Sequence, residues 1–300
     1  MTAIRTLTLN PSIDVSSEAD VVVAEKKVRT CCERIDPGGG GINVARVLHR
    51  FGADVEAIFL AGGATGAAFD ALLNRTSLRR RWVKIEDDTR TSLAVHERST
   101  GEDYRFVPEG PTVSEAELAA CRAAISESPC DWFVASGSLP PGVPDNFYAD
   151  VGRSVRETGA RFILDTSDAE LRAALSSGGI HLLKASKEEI DRSSAAAIVA
   201  SGQAELVALT LGAAGAMLIG DHGTHFLPTF QVETVSTVGA GDSFLAGMVF
   251  GLSEGRPPLE AFRLAVATGA AATLEAGTGL ADPAKVKRLL NRVPDPRPLV

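Results

Sequence analysis

The stretch Ser236-Thr-Val-Gly-Ala-Gly-Asp242-Ser-Phe-Leu-Ala-Gly247 joins a glycine-rich loop to an apolar helix and carries one acidic residue at the junction. Apolar residues recur in it and just after it at spacings of three and four, which predicts the helix. The first helical turn leaves the backbone N–H groups of Gly239, Ala240 and Gly241 without partners inside the helix. Together with the helix dipole, these donors predict an anion-binding site.

Asp242 places a carboxylate directly beside this predicted anion site. The combination makes chemical sense if the carboxylate takes a proton from a hydroxyl while the amides stabilise the charge on a phosphoryl group in transfer. The plainer alternative is an acidic residue that the helix dipole favours in a first turn. The motif alone leaves both interpretations open.

The composition indicates one large globular domain, which we expect to span residues 1–300. The chain is 45% hydrophobic and 23% charged, and it is long enough to bury an extensive core. Its formal net charge of −8 argues against nucleic acid and against an anionic membrane surface as partners. An anionic substrate would therefore need a local cluster of basic residues.

We expect a cytoplasmic protein with reduced thiols. No signal peptide is recognisable at the N-terminus, and no apolar segment reaches the length that spans a membrane. The spacing of the cysteines is not that of a zinc site, and reduction is the simplest interpretation for a cytosolic chain. The four cysteines are Cys31, Cys32, Cys121 and Cys130.

Strand-like and helix-like segments alternate along most of the chain. This alternation predicts an α/β fold of three layers, α/β/α, with a mainly parallel sheet covered by helices on both faces. Helices are predicted over 41–51, 65–73, 114–125, 144–157, 188–200, 259–274 and 283–291, among others. Two polar, β-like segments, at about 12–35 and 91–107, interrupt the alternation. We expect them to form a small sheet that acts as a lid over a site at the carboxyl ends of the main strands.

Asp36-Pro-Gly-Gly-Gly-Gly41-Ile-Asn43 is a second glycine run that leads into a helix. Four glycines at this place indicate that a ligand contacts the backbone, although a flexible loop is the plainer alternative. Asn43 falls in the first turn, where its amide can donate to and accept from hydroxyls. No strand of the expected kind precedes the run, which argues against a dinucleotide-binding motif.

Polar and glycine-containing segments also follow several predicted strands, at the edge where ligands bind in open α/β sheets. Ser136-Gly-Ser-Leu-Pro-Pro-Gly142 follows one strand, Lys184 and Glu189 follow a second, and Thr210-Leu-Gly212-Ala-Ala-Gly215 follows a third. Each could be an ordinary turn. Several such signals along one sheet favour a ligand more than any single one does.

Asp14 and the basic residues Lys27, Arg90 and Arg105 lie in or beside the two lid segments. Taken singly, Asp14 is typical of a turn and the three cations are typical of a solvated surface. Together they could form the basic cluster that a sugar phosphate needs.

Other catalytic arrangements find little support in the sequence. There is no P-loop motif GxxxxGK[ST], and no Ser-His-Asp or metal-cage pattern is evident. His222 and His225 have an HxxH spacing, but they lie at a predicted hairpin turn, where we expect both to be exposed to solvent.

Gly38-Gly-Gly-Gly-Ile-Asn-Val-Ala-Arg46 and Thr237-Val-Gly-Ala-Gly-Asp242 resemble the two signatures of the pfkB (ribokinase-like) family of carbohydrate kinases. The resemblance covers nearly the whole chain, and within the family it is greatest to the bacterial minor 6-phosphofructokinase branch. The branches that act on fructose 1-phosphate or tagatose 6-phosphate usually have lysine where this chain has Gly40.

The resemblance implies ATP-dependent phosphorylation of a sugar phosphate, with fructose 6-phosphate as substrate and fructose 1,6-bisphosphate as product. It also implies Mg²⁺ as cofactor, K⁺ as a further cation near Ser236 and Ala272, and a homodimer joined through the lids. Tagatose 6-phosphate, fructose 1-phosphate and other sugars stay open as alternative substrates. A degenerate protein that only binds sugar phosphate or nucleotide stays open as an alternative of another class.

The resemblance also implies roles for matching residues. Asp242 would deprotonate the C1 hydroxyl of the sugar, and the amides of residues 239–241 would hold the charge on the phosphoryl group. Sugar-phosphate contacts are implied for Asp14, Lys27, Gly39, Asn43, Arg90, Arg105 and Ser138. Nucleotide contacts are implied for Lys184, Ser186, Thr210, Gly212, Gly215 and Thr237. Glu189 would place Mg²⁺ through water, and Lys27 would reach the site of a neighbouring subunit.

Two departures from the family pattern concern the nucleotide side. The family sequence Lys-Pro-Asn-x-x-Glu reads Lys184-Ala-Ser186-x-x-Glu189 here, so a shorter hydroxyl replaces an amide. The segment from Glu189 to Leu206 is also shorter than in the minor 6-phosphofructokinase. Both departures put the affinity for ATP and metal, and any inhibition by ATP, in question, and they motivate the degenerate alternative.

Overall fold

The computed structural model describes residues 2–229 and 232–299. Within them the strands, in chain order, are β1 (Ala3–Thr8), β2 (Ser12–Ala19), β3 (Cys31–Gly38), β4 (Asp54–Gly62), β5 (Arg79–Ile85), β6 (Arg90–Glu97), β7 (Asp103–Phe106), β8 (Trp132–Ser136), β9 (Arg161–Asp165), β10 (Ile180–Ser186), β11 (Ala204–Thr210), β12 (Gly215–Gly220), β13 (Gly223–Pro228) and β14 (Arg297–Leu299). The helices are α1 (Gly40–Arg50), α2 (Gly63–Asn74), α3 (Glu115–Ser126), α4 (Phe147–Glu157), α5 (Asp168–Ser177), α6 (Arg192–Ala200), α7 (Ala240–Ser253), α8 (Pro258–Ala272) and α9 (Pro283–Leu290).

Ten strands form the main sheet, in the order β14-β13-β12-β11-β10-β9-β8-β1-β4-β5. Pairing is parallel from β11 to β5, whereas β12, β13 and β14 continue the sheet in antiparallel fashion. Neighbouring residues such as Ile58 and Phe59 of β4 belong to different buried clusters, one on each face of the sheet. This alternation is what a sheet covered by helices on both faces requires. The predicted α/β/α fold is therefore confirmed.

The remaining four strands form a separate sheet in the order β3-β2-β6-β7, which we call the small sheet. Its strands come from the two segments that the sequence singled out, so the prediction of a second, smaller sheet is also confirmed. The chain enters the small sheet after β1 and again after β5. Because those are the carboxyl ends of parallel strands, the small sheet rises from the edge of the main sheet where ligands are expected to bind.

Local interactions explain where the helices begin. Ser114 caps α3, and the Ser114 and Glu117 side chains exchange hydrogen bonds with each other's backbone N–H, as the capping-box pattern predicts. Two predicted helix starts are wrong. Residues 144–146 form a turn ahead of α4, in which the N–H of Phe147 donates to Pro144 O. Residues 188–190 also form a turn, and α6 begins only after Asp191, whose carboxylate accepts from the N–H of Ser194.

A strand, β3, does precede the second glycine run, contrary to expectation, but it belongs to the small sheet and so builds no βαβ unit with α1. The expectation of exposed histidines is wrong, because His222 and His225 are half-buried in the β12–β13 hairpin with ring centroids 5.2 Å apart. All four cysteines are free thiols, as expected.

None of the helices in the two described ranges is both long enough and apolar enough to cross a membrane.

Candidate active site

Two cavities meet at the start of α7. One, of about 540 Å³, lies between the small sheet and the first turns of α1 and α7. The other, of about 700 Å³, lies between α7, α8 and the loop after β11. Thr237 lines both cavities. We call them the small-sheet cavity and the α8 cavity. The predicted anion site therefore lies on the wall that two cavities share.

The backbone at this wall has the form that an anion site needs. Gly239 precedes the first residue of α7 and has a left-handed conformation, with φ of 75°, which glycine adopts without strain. The N–H of Ala240 makes a long hydrogen bond of 3.3 Å to Thr237 O, while that of Gly241 has no hydrogen-bond partner within the described ranges. Thr237 O therefore accepts from one of the three N–H groups that were expected to be free. The helix start still presents N–H groups to the cavities.

Asp242 follows these donors in the first turn of α7 and lines the small-sheet cavity. The side-chain amide of Asn43 donates to Asp242 Oδ2 over 2.8 Å. Burial raises the pKa of Asp242 to about 6, and the nearby charge of Asp165 adds to that effect. The hydrogen bond from Asn43 and the charge of Lys184 act in the opposite direction. Such a carboxylate is ionised at neutral pH yet basic enough to accept a proton from a bound hydroxyl.

The side chain of Asn43 is positioned by Arg46. Arg46, one turn further along α1, is buried and donates to Asn43 Oδ1 over 3.4 Å and to Pro37 O over 2.7 Å. Its guanidinium also lies 3.6 Å from a carboxylate oxygen of Asp36. With its oxygen facing Arg46, the Asn43 amide points its nitrogen at Asp242. Sequence reasoning assigned no role to Arg46, although its place one turn after Asn43 was a usable signal.

Asp165 is the second residue that sequence reasoning missed. Its carboxylate accepts hydrogen bonds from Lys184 Nζ at 2.9 Å and from Ser136 Oγ at 3.2 Å. Burial lowers the pKa of Lys184, but the charges of Asp165, Asp242 and Glu189 outweigh it, so the pKa lies above its ordinary value. Asp165 ends the apolar strand β9 at the ligand edge of the sheet, and this position was the available sequence signal.

The Asp165–Lys184 pair lies next to the start of α7. A side-chain carbon at Gly241 would be 3.4 Å from Lys184 Nζ, so the ammonium group lies close to Gly241. Lys184 lines neither cavity, but its positive charge lies close enough to the helix start to add to the attraction for an anion there.

The small-sheet cavity has its own charged groups. Asp14, Arg90 and Arg105 all line it, together with Gly39. Burial raises the pKa of Asp14, while the hydrogen bond from Ser12 and the charges of Arg90 and Arg105 oppose that shift. The guanidinium of Arg90 is anchored on Asn10 O and Pro108 O, each at 2.9 Å. Arg34 lines the cavity as well, so the cavity offers a carboxylate and an amide for hydroxyls and three guanidinium groups for an anion.

The second glycine run serves packing more than expected. A side chain at Gly38, Gly40 or Gly41 would collide with Asp14, Ser136 or Leu7 respectively. Gly39, with φ of 106°, is the N-cap of α1 and faces the cavity, as does Gly40. The glycines thus let α1 approach β1 and β8 closely, and only part of the run borders the space for a ligand.

The α8 cavity contains the predicted residues Thr210, Gly212, Gly215 and Thr237, together with the backbone of Ala240 and Gly241. Its remaining wall is largely apolar. That wall includes Ala213, Val232, Phe244, Val266 and Ala270. A flat apolar group such as a nucleobase fits such a space, with the polar helix start at one end.

Some predicted residues lie outside both cavities. Lys27 is exposed in the segment between β2 and β3, and Ser138 is exposed with its hydroxyl 3.4 Å from the Asn10 amide nitrogen. Ser186 ends β10, and its N–H donates to the Glu189 carboxylate over 2.6 Å, so Glu189 closes the turn after the strand. Within the described ranges, none of these four side chains lines the space beside Asp242.

Known proteins resemble this chain in both sequence and fold. The model of the pfkB family of carbohydrate kinases matches residues 8–285. The ATP-dependent 6-phosphofructokinase isozyme 2 of Mycobacterium tuberculosis is 38% identical over 308 residues, which cover 98% of this chain and 90% of that protein. Tagatose-6-phosphate kinase of Staphylococcus epidermidis is 30% identical over 293 residues. The match covers 92% of this chain and 94% of that kinase.

Solved structures of phosphofructokinase-2 from Escherichia coli superimpose on the chain almost completely. The complex with fructose-6-phosphate has a TM-score of 0.92 at 34% identity and covers 98% of this chain and 99% of its own. The complex with potassium has a TM-score of 0.93 at 36% identity, covering 97% and 99%. A tetrameric inhibited form has a TM-score of 0.90 at 35% identity, again covering 97% and 99%. The sequence match, the shared fold and the two glycine motifs agree, and this chain belongs to the pfkB family of carbohydrate kinases.

Proposed function

We propose that this chain is an ATP-dependent 6-phosphofructokinase that transfers the γ-phosphoryl group of ATP to the C1 hydroxyl of fructose 6-phosphate. The observation that carries the proposal is the position of Asp242, beside an anion-binding helix start on the wall between two cavities. One cavity suits a phosphorylated sugar and the other suits a nucleotide. In this arrangement the acceptor hydroxyl and the phosphoryl group can meet at the wall, as in-line transfer requires.

Asp242 is proposed as the general base. With a pKa of about 6, its carboxylate is ionised at neutral pH and can take the hydroxyl proton as the oxygen attacks phosphorus. The N–H groups of residues 239–241 and the ammonium of Lys184 would stabilise the charge on the transferring group. Asn43 keeps the carboxylate in place, and Asp165 keeps Lys184 in place.

The small-sheet cavity is proposed to bind the sugar phosphate. Asp14, Gly39 and Asn43 supply hydrogen-bonding groups for hydroxyls, and Arg90 and Arg105 supply positive charge for the phosphate. Arg90 of the expected basic cluster borders this cavity, and Arg105 provides a further cation, whereas Lys27 of the same chain is exposed outside it.

The α8 cavity is proposed to bind ATP, with Thr210, Gly212, Gly215 and Thr237 around the nucleotide. Kinases of this family imply a divalent metal, and Mg²⁺ usually keeps several waters and uses one or two carboxylates besides the phosphates. Glu189, which closes the turn after β10, would hold Mg²⁺ through water, and the Asp165 carboxylate beside Lys184 is the second acidic group on this side. Bound Mg²⁺ would neutralise charge on the phosphates. We also propose that Ser186 contacts the nucleotide and that K⁺ binds near Ser236 and Ala272.

We also propose that residues 1–300 form one kinase domain with the small sheet as its lid, and that two lids join in a homodimer. Six apolar side chains on the small sheet or in its connecting segments are between 39% and 59% exposed, and packing of two small sheets would bury such side chains. They are Val21, Val23, Ile35, Leu93, Phe106 and Val107. Lys27 extends from the same sheet and would then be available to a neighbouring site. A cytoplasmic location follows from the proposed substrates.

The nearest alternatives keep the chemistry and change the sugar, to tagatose 6-phosphate, fructose 1-phosphate or an unphosphorylated sugar. The identity of 30% to a tagatose-6-phosphate kinase supports the first of these less strongly than 38% supports fructose 6-phosphate. A protein that only binds its ligands is disfavoured, because the positions of Asp242, Asn43 and the helix start support a role in phosphoryl transfer.

The decisive experiment measures ADP release with Mg-ATP against fructose 6-phosphate, tagatose 6-phosphate, fructose 1-phosphate, fructose and ribose. We expect kcat/KM to be highest for fructose 6-phosphate. A higher kcat/KM for another sugar would change the proposed substrate but would not affect the proposed mechanism. Absence of turnover on every sugar, with fructose 6-phosphate still bound in calorimetry, would overturn the assignment as an enzyme.

A further inference from the structure

The small sheet carries a cluster of metal-ligating groups that takes no part in the proposed reaction. Glu18 on β2 and Cys31 and Cys32 on β3 each contribute one ligand atom, and these atoms all lie within 4.8 Å of one another. Both thiols are free and exposed. Arg98, which follows β6, is the fourth member of the cluster.

Two adjacent cysteines in a regular strand would point to opposite faces of the sheet. Here β3 has one more residue than its partner between two paired positions, because Glu18 pairs with Cys31 whereas Ser16 pairs with Arg34. Cys32 lies in this bulge and has a φ of 59°, a left-handed conformation that is uncommon for a residue other than glycine. The irregular backbone brings both sulfur atoms to one side, where a single group can contact them.

That group is the guanidinium of Arg98. Its Nη2 lies 3.2 Å from Cys31 Sγ and 3.8 Å from Cys32 Sγ, and its Nε donates to Glu18 over 2.8 Å. Arg98 Nη1 also lies 3.2 Å from Asp20, so this positive charge is already surrounded by two sulfur atoms and two carboxylates. The arrangement is a cation site whose present occupant is a side chain.

We propose that Glu18, Cys31 and Cys32 bind a thiophilic divalent cation such as Zn²⁺ after Arg98 swings away. Two thiolates, one carboxylate and one water complete the tetrahedral set that zinc prefers. In such a set two sulfur atoms lie about 3.8 Å apart, so the exposed side chains need only a small movement. The two thiols release their protons to solvent when the metal binds, and affinity should therefore rise with pH.

The position of this site gives it a functional consequence. Glu18 and Cys32 also line the small-sheet cavity. A metal bound by both would link β2 to β3 at the bulge and would fix the geometry of the sheet that covers the proposed sugar site. Occupation of the site should therefore reduce activity of the proposed kinase, but binding itself is independent of that function and can be measured without it.

The test is a titration of the reduced full-length protein with Co²⁺, followed by the thiolate-to-metal absorption band and then by displacement with Zn²⁺. We expect one bound equivalent that shows thiolate ligation. Cys31→Ser and Cys32→Ser should each weaken Co²⁺ binding by more than the roughly tenfold to hundredfold loss that follows removal of a supporting residue. Cys130→Ser, which alters a cysteine outside the cluster, is the matched control and should bind Co²⁺ like the unaltered chain.

Arg98→Gln separates this proposal from non-specific thiol binding. Removing the competing guanidinium should tighten Co²⁺ binding, whereas Glu18→Gln should weaken it. The proposal is overturned if the thiolate band is missing, if the Cys31→Ser, Cys32→Ser double variant binds Co²⁺ as well as the unaltered chain, or if Arg98→Gln weakens binding. Circular dichroism of each variant checks that the fold is retained.

Discussion

Asn43 donates its side-chain amide to Asp242 over 2.8 Å, across a separation of 199 residues in the chain. The contact joins the first turns of α1 and α7, so each of the two glycine motifs supplies one partner. Because the donor stabilises the ionised carboxylate, the bond opposes the rise in the pKa of Asp242 that burial causes. The motifs are thus coupled through one proton-accepting group.

Replacement of Asp242 by asparagine should remove the proposed base and leave the shape of the site nearly unchanged. We expect kcat to fall by about 10²- to 10⁴-fold, the usual contribution of a general base, with little change in the affinity for fructose 6-phosphate. Steady-state kinetics and calorimetry of sugar-phosphate binding measure the two effects separately. Turnover within a few-fold of the unaltered chain would exclude Asp242 as the base.

The pH dependence of kcat/KM should report the pKa of Asp242. The base works only when it is ionised, so activity should be nearly constant above pH 7 and should fall as the pH drops through about 6. In Asn43→Ala the hydrogen bond to the carboxylate is lost, and this acid limb should shift to higher pH. Rates measured in a series of buffers of constant ionic strength test the shift. A limb that stays in place would mean that another group controls it.

The raised pKa of Asp242 also affects stability. The native state holds the Asp242 proton more tightly than the unfolded chain, in which an aspartate has its ordinary pKa of 3.8. The native state therefore binds more protons between about pH 4 and 6, and the contribution of this group to stability decreases as the pH rises through that window. Asp242→Asn should lessen the decrease in the free energy of unfolding over the same range. Urea denaturation at pH 4.5 and pH 7 compares the two proteins, and an equal decrease in both would contradict the assignment.

Arg90 should contribute mainly to binding of the sugar phosphate. Hydrogen bonds to charged groups typically contribute about 1.5–3 kcal/mol, so Arg90→Ala should raise the KM for fructose 6-phosphate by roughly one to two orders of magnitude. The KM for ATP should change little. Lys27→Ala is a useful comparison, because a similar loss there would show that a neighbouring subunit's Lys27 reaches the site. An unchanged KM in Arg90→Ala would favour an unphosphorylated sugar.

Phe106→Glu should dissociate the proposed homodimer. The side chain is 59% exposed on the small sheet, and a charge there would have to be buried if two small sheets pack together. Sedimentation velocity should show a shift from dimer to monomer. Arg75→Glu, at an exposed position after α2 on the main domain, is the control and should leave the assembly unchanged. A Phe106→Glu protein that sediments like the control would place the interface elsewhere.

Features with local causes were predictable from the sequence. The capping box of Ser114 and Glu117 lies within four residues, and the helix after Gly239 follows from apolar spacing, so both were recognised correctly. The start of α6 was missed, because Glu189 bonds back to the N–H of Ser186 and holds residues 188–190 in a turn. A short side-chain hydrogen bond there outweighs the helical pattern of the sequence.

The sequence by itself determined the layered α/β fold, the second sheet and the glycine–aspartate motif, because periodicity and backbone conformation depend on nearby residues. Only the tertiary structure decided which distant groups meet. It brought Asp165 to Lys184 and Asn43 to Asp242, and it brought Glu18 to Cys31 across a bulge. Such contacts depend on strand order and register throughout a sheet, and packing of the whole chain sets these, with no signature in any short segment.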